Sequence, residues 1–315
     1  MELITKEARI FVAGHRGMVG SAIVRCLQQE GYSNVLLKSK SELDLLNTAS
    51  VDSFFEEENP EIVILAAARV GGILANMSKP ADFLYENLVI QNNTIRAANA
   101  YGVKKFVFLG SSCIYPRDCP QPMKEEYLLT GKLEPTNEGY SLAKITGIKL
   151  LEFYKKQYGL NSISLMPCNL YGTNDSFHPE HSHVLSALVK KFSDAMTNGL
   201  SKVELWGTGV ARREFMHVDD MARAVLFFMN NYETSEFINV GVGADITIKE
   251  LAELIAKKVG YTGEILWDHS KPDGMLRKCM DVTKMKELGF EATISIEEGI
   301  VRTINEYKNL KNVSI

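Results

Sequence analysis

The first half of the chain alternates short apolar runs with longer segments in which apolar residues return every three or four positions. "RIFVAG" (9–14) is an unbroken apolar run ending in glycine and predicts a strand buried on both faces. In the following "MVGSAIVRCLQQEG", Val19, Ile23 and Leu27 share one helical face, and Gly31 stops the segment. "NVLLKS" (34–39) predicts a second strand, and "TASVDSFFEEE" a helix capped by Thr48 or Ser50. "EIVILAAA" (61–68) predicts a third strand, followed by a long helix over 80–102 with Pro80 at its start and Gly102 at its end. "KKFVFLGSS" (104–112) reads as a strand, 138–159 as another long helix, and "NSISLMPCNLYG" (161–172) as another strand. This alternation implies βαβ units: a Rossmann-type, doubly wound α/β fold with a parallel sheet covered on both faces.

The pattern loosens after Gly172. "NDSFHPEHSH" is a polar loop, "VLSALVKKFSDAMTNG" a helix, "KVELWG" a short strand, and the surroundings of "GEILWD" are loop-rich. The expected division is a nucleotide-binding Rossmann domain over 1–172 and a smaller C-terminal substrate-binding domain, mainly 173–315. Segments near 215–242, including "HVDDMARAVLFFMNN" and "EFINVG", are expected to return to the first domain. No internal repeat is visible.

Composition narrows the class. Of 315 residues, 45% are hydrophobic and 23% charged, as in ordinary globular proteins. A net charge of −4 argues against a general nucleic-acid surface, so an anionic substrate would need a local basic cluster. The five cysteines (Cys26, Cys113, Cys119, Cys168, Cys279) have no CxxC spacing, which speaks against a zinc ribbon or a disulfide scaffold. The beginning, "MELITKEARIFVAGH", is too polar for a signal peptide, and the apolar stretch "IVILAAA" is too short to span a membrane. The expected setting is the cytoplasm, with no membrane or nucleic-acid partner.

"GHRGMVG" places Gly14, Gly17 and Gly20 between the first strand and the first helix. There the glycines permit a tight turn, close approach of backbone to a pyrophosphate, and close helix–strand packing. The second strand runs into "LLKSKSELD", where Lys38 and Lys40 precede Glu42 and Asp44. With Arg16 from the glycine loop, these lysines favour NADP over NAD; the plainer reading is two solvated surface lysines. "YSLAK" sets Tyr140 and Lys144 four apart on one helical face, where an ammonium moves a phenol toward acid–base work. A strand-end serine, Ser111 or Ser112, could bond the same carbonyl oxygen. Cys113 follows, and a cysteine in such a place ordinarily acts as a small hydrophobe.

The glycine motif, serine and Tyr-xxx-Lys resemble the extended short-chain dehydrogenase/reductase family, whose members act on nucleotide sugars. "AGHRGMVGSAI", "AAARVGGI", "FLGSSCIYP", "LEPTNEGYSLAK", "NLYGTNDSFHPEHSHV", "REFMHVDDMA" and "KPDG" narrow the likeness across nearly the whole chain. They are similar to the branch that epimerises GDP-4-keto-6-deoxy-D-mannose at C3 and C5 and reduces it at C4. This resemblance implies Cys113 as the epimerising base and His183 as the acid. It further implies Tyr140 as proton donor to the C4 alkoxide, Lys144 as its tuning cation and Ser111 as the group orienting the carbonyl. It implies an NADP(H) site built from Gly14, Arg16, Gly17, Met18, Val19, Gly20, Lys38, Lys40, Leu109, Gly110, Ser111, Ser112, Tyr140, Lys144, Pro167, Cys168, Asn169, Leu170 and His183.

The GDP-sugar would be held by Lys191, Trp206, Arg213 and Asp273, with Lys191 standing where the family often has arginine. A homodimer through the helices at 80–102 and 138–159 is implied, with Tyr85, Leu88, Leu150 and Phe153 offering apolar surface. A reductase without epimerase activity on a related GDP-4-keto sugar, a 6-deoxy-hexose or a heptose, is the nearest competitor. A 4-epimerase or 4,6-dehydratase comes next, and a dehydratase usually carries a carboxylate beside the serine, which "SSCIYP" lacks. A non-catalytic NADP sensor would tend to lose Tyr140 or Lys144. "HPEHSH" also reads as a polar surface loop, or as a metal site from His178, His181 and His183. No cysteine or carboxylate cluster completes a metal spacing there, so no metal is expected.

Overall fold

A computed structural model describes residues 4–178, 182–234, 236–271 and 273–313. The chain runs β1 (Ile10–Ala13), α1 (Met18–Gln29), β2 (Val35–Leu36), α2 (Thr48–Glu58), β3 (Ile62–Leu65), α3 (Ile73–Ser78), α4 (Pro80–Ala100) and β4 (Lys105–Leu109). It continues with α5 (Glu138–Tyr158), β5 (Ser162–Pro167), β6 (Asn169–Tyr171), α6 (Val184–Thr197), β7 (Lys202–Trp206), β8 (Arg212–Arg213), β9 (Phe215–His217) and α7 (Val218–Asn231). The last elements are β10 (Ile238–Val240), β11 (Ile246–Thr247), α8 (Ile248–Val259), β12 (Glu264–Asp268), β13 (Arg277–Lys278), α9 (Thr283–Glu287) and α10 (Ile296–Val313).

Six strands form one parallel sheet in the order β10-β5-β4-β3-β1-β2. Strands β1, β3 and β4 are buried at every residue, which explains why they read as unbroken apolar runs rather than alternating ones. Helices α4 and α5 lie side by side, and the absence of a side chain at Gly147 makes this fit possible. A Cβ there would stand 2.5 Å from the Phe108 ring and 2.8 Å from Gln91 Oε1. Helices α1 and α7 pack together and share the Arg25–Asp219 ion pair at 3.0 Å. Strand order reverses between β1 and β3, which opens a crevice above the carboxyl ends of those strands.

A second core gathers Leu185, Val189 and Phe192 of α6 with Leu251 and Ile255 of α8 and Ile300 and Ile304 of α10. Glu214 is buried at the join and accepts three backbone hydrogen bonds, from Val242 (2.6 Å), Gly243 (2.7 Å) and Met280 (2.8 Å). Met280, Val282, Met285 and Phe290 belong to the first core, so the chain crosses between the two bodies of apolar residues more than once. No helix among the described residues is long and apolar enough to cross a membrane.

Three local expectations are corrected. The second strand spans only Val35–Leu36. Helix α2 is capped by Asn47, whose side chain accepts the Ser50 N–H at 3.0 Å, rather than by Thr48 or Ser50. The apolar run over 161–172 is two strands. At Cys168 the chain leaves the sheet: its N–H bonds Val240 O at 3.0 Å, and Asn169–Tyr171 pairs with Phe215–His217 instead.

Candidate active site

The glycine loop sits at the reversal of strand order. Gly14 has φ of +85°, and a Cβ there would stand 2.7 Å from Ala67 N, just beyond β3. A Cβ on Gly20 would stand 2.1 Å from Gly14 O, so only glycine lets α1 rest on the turn. Gly17 differs, because the nearest atom its Cβ would meet is 3.5 Å away. The bare Gly17 backbone is therefore not required by internal packing, but it leaves room for a phosphate to approach. Gly17 caps α1 without a side-chain bond, and no acid stands in the first turn with Met18 and Val19. The helix end is open to an anion, and the cradle fits the diphosphate of a dinucleotide.

At the end of β2 the three expected cations separate. Lys38 Nζ is paired with Glu58 at 2.7 Å. Arg16 and Lys40 are exposed. Glu42 accepts the Ser39 hydroxyl and the Ser39 N–H (2.7 Å), and these bonds, helped by Arg16 and Lys38, hold its carboxyl below the usual range.

The other cofactor-side residues lie along neighbouring strand ends. Leu109 ends β4 and Gly110 follows it; Pro167 ends β5, the direct neighbour of β4, and Cys168, Asn169 and Leu170 follow. Cys168 is buried within the first core, and burial and then Glu214 push its thiol well up. Asn169 Nδ2 donates to Glu214 O at 2.8 Å.

Beyond β4 the backbone stays extended through Ser111 and then turns over Ser112–Ile114. Ser111 Oγ accepts the Cys113 N–H at 3.3 Å, which leaves its own hydroxyl proton free for a carbonyl oxygen. Ser112 is buried inside the turn. Tyr140 and Lys144 stand on the first turns of α5. Lys144 Nζ donates to Leu109 O at 2.7 Å and lies 5.7 Å from the Tyr140 ring centroid. Burial pushes the Lys144 ammonium down to about 8, so it remains mostly charged at neutral pH. Burial, and then Cys113, pushes the Tyr140 hydroxyl well above its ordinary range, which corrects the expectation that Lys144 would favour the phenolate and keeps the phenol a proton donor.

Cys113 is buried and within electrostatic reach of Tyr140, Lys144 and a third group, Lys278. Lys278 lines a small cavity with Cys113, Glu134 and Asn137. Burial lowers its pKa and Cys113 opposes that shift. Sequence reasoning missed Lys278, which looks like one surface lysine among many.

His183 is exposed and caps α6 through its backbone carbonyl, which accepts the Ala187 N–H at 2.9 Å. His178 is exposed, and His181 lies outside the described residues. Among the described residues no group of three His, Cys, Asp or Glu could hold a metal ion.

The four expected sugar-nucleotide residues fall in one region. Trp206 ends β7 and is 66% exposed, with Lys271 Nζ 5.7 Å from its ring. Arg213 is fastened to Arg212 O (2.8 Å) and Met275 O (2.6 Å), and Asp273 bears on its guanidinium. Asp273 accepts from Thr208 N (2.7 Å) and Thr208 Oγ (2.8 Å). Lys191 Nζ donates to Glu204 O at 2.5 Å, two residues from Trp206.

Residues 10–241 match the model of the NAD dependent epimerase/dehydratase family. The chain is 54% identical over 308 residues to GDP-L-fucose synthase 1 of Arabidopsis thaliana, covering 98% of this chain and 95% of that protein. Among solved structures it is similar to a GDP-6-OMe-4-keto-L-xylo-heptose reductase from C. jejuni, with a TM-score of 0.92 and 37% identity over 98% of this chain and 100% of that one. It is also similar to a GDP-L-fucose synthetase from Naegleria fowleri bound to NADP, with a TM-score of 0.90 and 28% identity over 99% of this chain and 97% of that one. Together with the glycine cradle and the Tyr140–Lys144 pair at the strand ends, these likenesses show that the chain belongs to the NAD dependent epimerase/dehydratase family, in the group of the GDP-L-fucose synthases.

Proposed function

We propose that the protein converts GDP-4-keto-6-deoxy-D-mannose to GDP-L-fucose by epimerisation at C3 and C5 followed by NADPH-dependent reduction at C4. The observation that carries this reading is the meeting of Ser111, Cys113, Tyr140 and Lys144 at the end of β4. The hydride for C4 is what NADPH supplies when bound. Arg16 and Lys40, the exposed cations, would hold its 2′-phosphate, while Lys38 is occupied by Glu58.

The 4-keto group acidifies the protons at C3 and C5. At C3 and at C5 in turn, Cys113 removes the proton and His183 delivers one to the opposite face, so that both centres invert, and the two groups exchange protons with solvent between the steps. Ser111 holds the carbonyl oxygen, and Tyr140 gives its proton to the alkoxide that forms at C4. Lys144 keeps positive charge beside that developing anion. Arg213 and Lys191 would face the diphosphate, the exposed Trp206 indole would stack on the base, and Asp273 would accept from the sugar.

Turnover of GDP-4-keto-6-deoxy-D-mannose tests this reading. Net NADPH oxidation with GDP-L-fucose as product is expected, and kcat/KM for NADPH should exceed that for NADH. A ratio near one or below overturns the cofactor preference. A second reading, C4 reduction alone of a related GDP-4-keto sugar, is supported by the likeness to the C. jejuni reductase. It predicts a reduced product whose C3 and C5 keep their original configuration.

The outer face of α4 and α5 carries exposed apolar residues, with Tyr85 67% and Phe153 60% accessible and Leu88 and Leu150 half-buried beside them. We propose that a second copy covers this face as a four-helix bundle. Sedimentation at micromolar concentration should give twice the 35.2 kDa chain mass, and Phe153→Glu should shift it toward monomer. A monomer in the unmutated protein removes the dimer. The five free thiols fit a reducing compartment such as the cytoplasm.

A further inference from the structure

We propose that Lys278 is a positioning residue for Cys113: its ammonium, on the same small cavity as the thiol, keeps Cys113 as the thiolate that takes protons from C3 and C5. The inference rests on the reading of Cys113 as the base of the epimerisation.

Lys278 ends β13, which pairs in parallel with β8, so that Arg277 stands beside Arg212 and Lys278 beside Arg213. Successive side chains of a strand point to opposite faces, so the four cations form two pairs, one on each face. The Arg212–Arg277 pair shares an acid. Asp245 accepts from Arg212 Nε and from Arg277 Nε, each at 2.5 Å and each on its own carboxylate oxygen. On the other face Arg213 donates to Arg212 O and Met275 O, and Asp273 bears on its charge. Lys278 is half-buried and makes no hydrogen bond or ion pair among the described residues. Like charges on neighbouring strands repel, and an ammonium withdrawn from water without an anion is costly.

The cavity beside Lys278 narrows the choice of anion. It measures about 30 Å³, room for one or two water molecules, and Cys113, Glu134 and Asn137 line it with Lys278. Glu134 is engaged elsewhere: it accepts the Thr136 N–H (3.3 Å) and hydroxyl (3.0 Å) and pairs with Arg117 at 3.7 Å. Cys119 and Cys168 also lie within electrostatic reach of Lys278, but neither lines the cavity, and burial raises both thiols. Cys113 remains, buried and on the cavity wall.

The backbone holds the two residues in register. Lys278 O accepts the Glu214 N–H at 3.3 Å. Next to it, Cys279 N–H donates to Gln121 Oε1 at 2.9 Å, and Cys279 O accepts the Met123 N–H at 2.8 Å. Strand β13 is thus clamped to the segment that follows Cys113, and Met123 itself lines the cavity. In the reaction the carbon–hydrogen bond breaks, the proton passes to the Cys113 sulfur, and the electron pair moves to the 4-keto oxygen. Release of that proton to solvent restores the thiolate beside the ammonium.

The first readout needs no substrate. A thiolate absorbs in the far ultraviolet where a thiol does not, so the spectrum of the protein minus that of its Cys113→Ser form measures the thiolate at Cys113. A clear signal is expected at neutral pH. Lys278→Met keeps the length of the side chain and removes its charge. There the ratio of thiolate to thiol should fall about tenfold, the lower end of what one close opposite charge does. Lys278→Arg should keep the ratio within about threefold of the unmutated value.

The second readout is solvent deuterium uptake at C3 and C5. A thiolate freed of its cation is also a stronger base, which recovers part of the loss, so kcat for exchange should fall about three- to tenfold in Lys278→Met. KM for the ketone should stay within about twofold, because Lys278 acts through Cys113. No thiolate signal in the unmutated protein overturns the proposal, and so does an unmoved ratio in Lys278→Met. A raised KM with an unmoved ratio would make Lys278 a substrate-binding cation instead. If Lys278→Met does not fold, as judged by NADPH binding, the same comparison in Lys278→Gln decides. If the unmutated protein takes up no deuterium, the epimerase reading fails, and the thiolate ratio still decides whether Lys278 acts on Cys113.

Discussion

Cys113→Ser is expected to abolish deuterium incorporation at C3 and C5 when GDP-4-keto-6-deoxy-D-mannose is incubated with the protein and NADP⁺ in D₂O. A thiol can supply a thiolate base near neutral pH, whereas a serine hydroxyl does not ionise there, and the loss of a positioned base costs about 10²–10⁴-fold. The substitution is conservative for the fold. The backbone N–H of residue 113 would keep its bond to Ser111 Oγ, and the glycine cradle lies on other elements. NADPH binding should therefore survive. Slow reduction of the unepimerised ketone should also survive, and it should yield a sugar of the wrong configuration at C3 and C5. The measurement is NMR of the recovered sugar nucleotide. If the unmutated protein reduces this ketone but never exchanges its carbon-bound protons, Cys113 is a packing residue and the protein is a reductase only.

Tyr140→Phe should lower the reductive rate by roughly 10²–10⁴-fold, with steady-state NADPH oxidation as the readout. Phenylalanine keeps the ring near Lys144 Nζ and removes only the hydroxyl. That hydroxyl is held protonated by burial and by Cys113, which is the state a donor to a C4 alkoxide requires. The deuterium exchange at C3 and C5 should persist, because Cys113 and His183 are untouched. Opposite responses of the two half-reactions to Cys113→Ser and Tyr140→Phe would separate the two sets of groups. Full reductive activity in Tyr140→Phe would mean that the proton comes from another group, and Lys278 would be the first to examine.

The fold class was legible because the inner strands β1, β3 and β4 are buried on both faces and helices such as α1, α6 and α7 carry one apolar stripe. Both are local patterns. The glycine loop was legible for the same reason: its spacing, strand and helix are contiguous. Features created by distant segments were not legible. The break at Cys168 follows Pro167, the one local breaker in an otherwise apolar run, but the new pairing beyond it exists because Val240 and Phe215–His217 arrive from later in the chain. Lys38 looks free until helix α2 brings Glu58 to it. Lys278 gains meaning only when β13 faces Cys113. Asn47 lost to Thr48 and Ser50 in the sequence because three cap-forming residues stand close together, and only the backbone decides among them.

The pairing of β10 with β5 has a consequence for handling the chain in pieces. Ile238, Asn239 and Val240 pair with Leu165, Met166 and Pro167, and Asn239 Nδ2 also bonds Met123 O at 2.9 Å. A fragment stopped at Gly172 would lack this outer strand. Its "SISLMP" strand, buried at five of six positions in the whole protein, would become a bare apolar margin with open backbone donors and acceptors. Such a margin recruits strands from other molecules, and the fragment would go to inclusion bodies rather than yield a small nucleotide-binding protein. The nucleotide-binding layer is thus a geometric unit without being an autonomous folding unit, and its solubility depends on residues synthesised long after its binding loop.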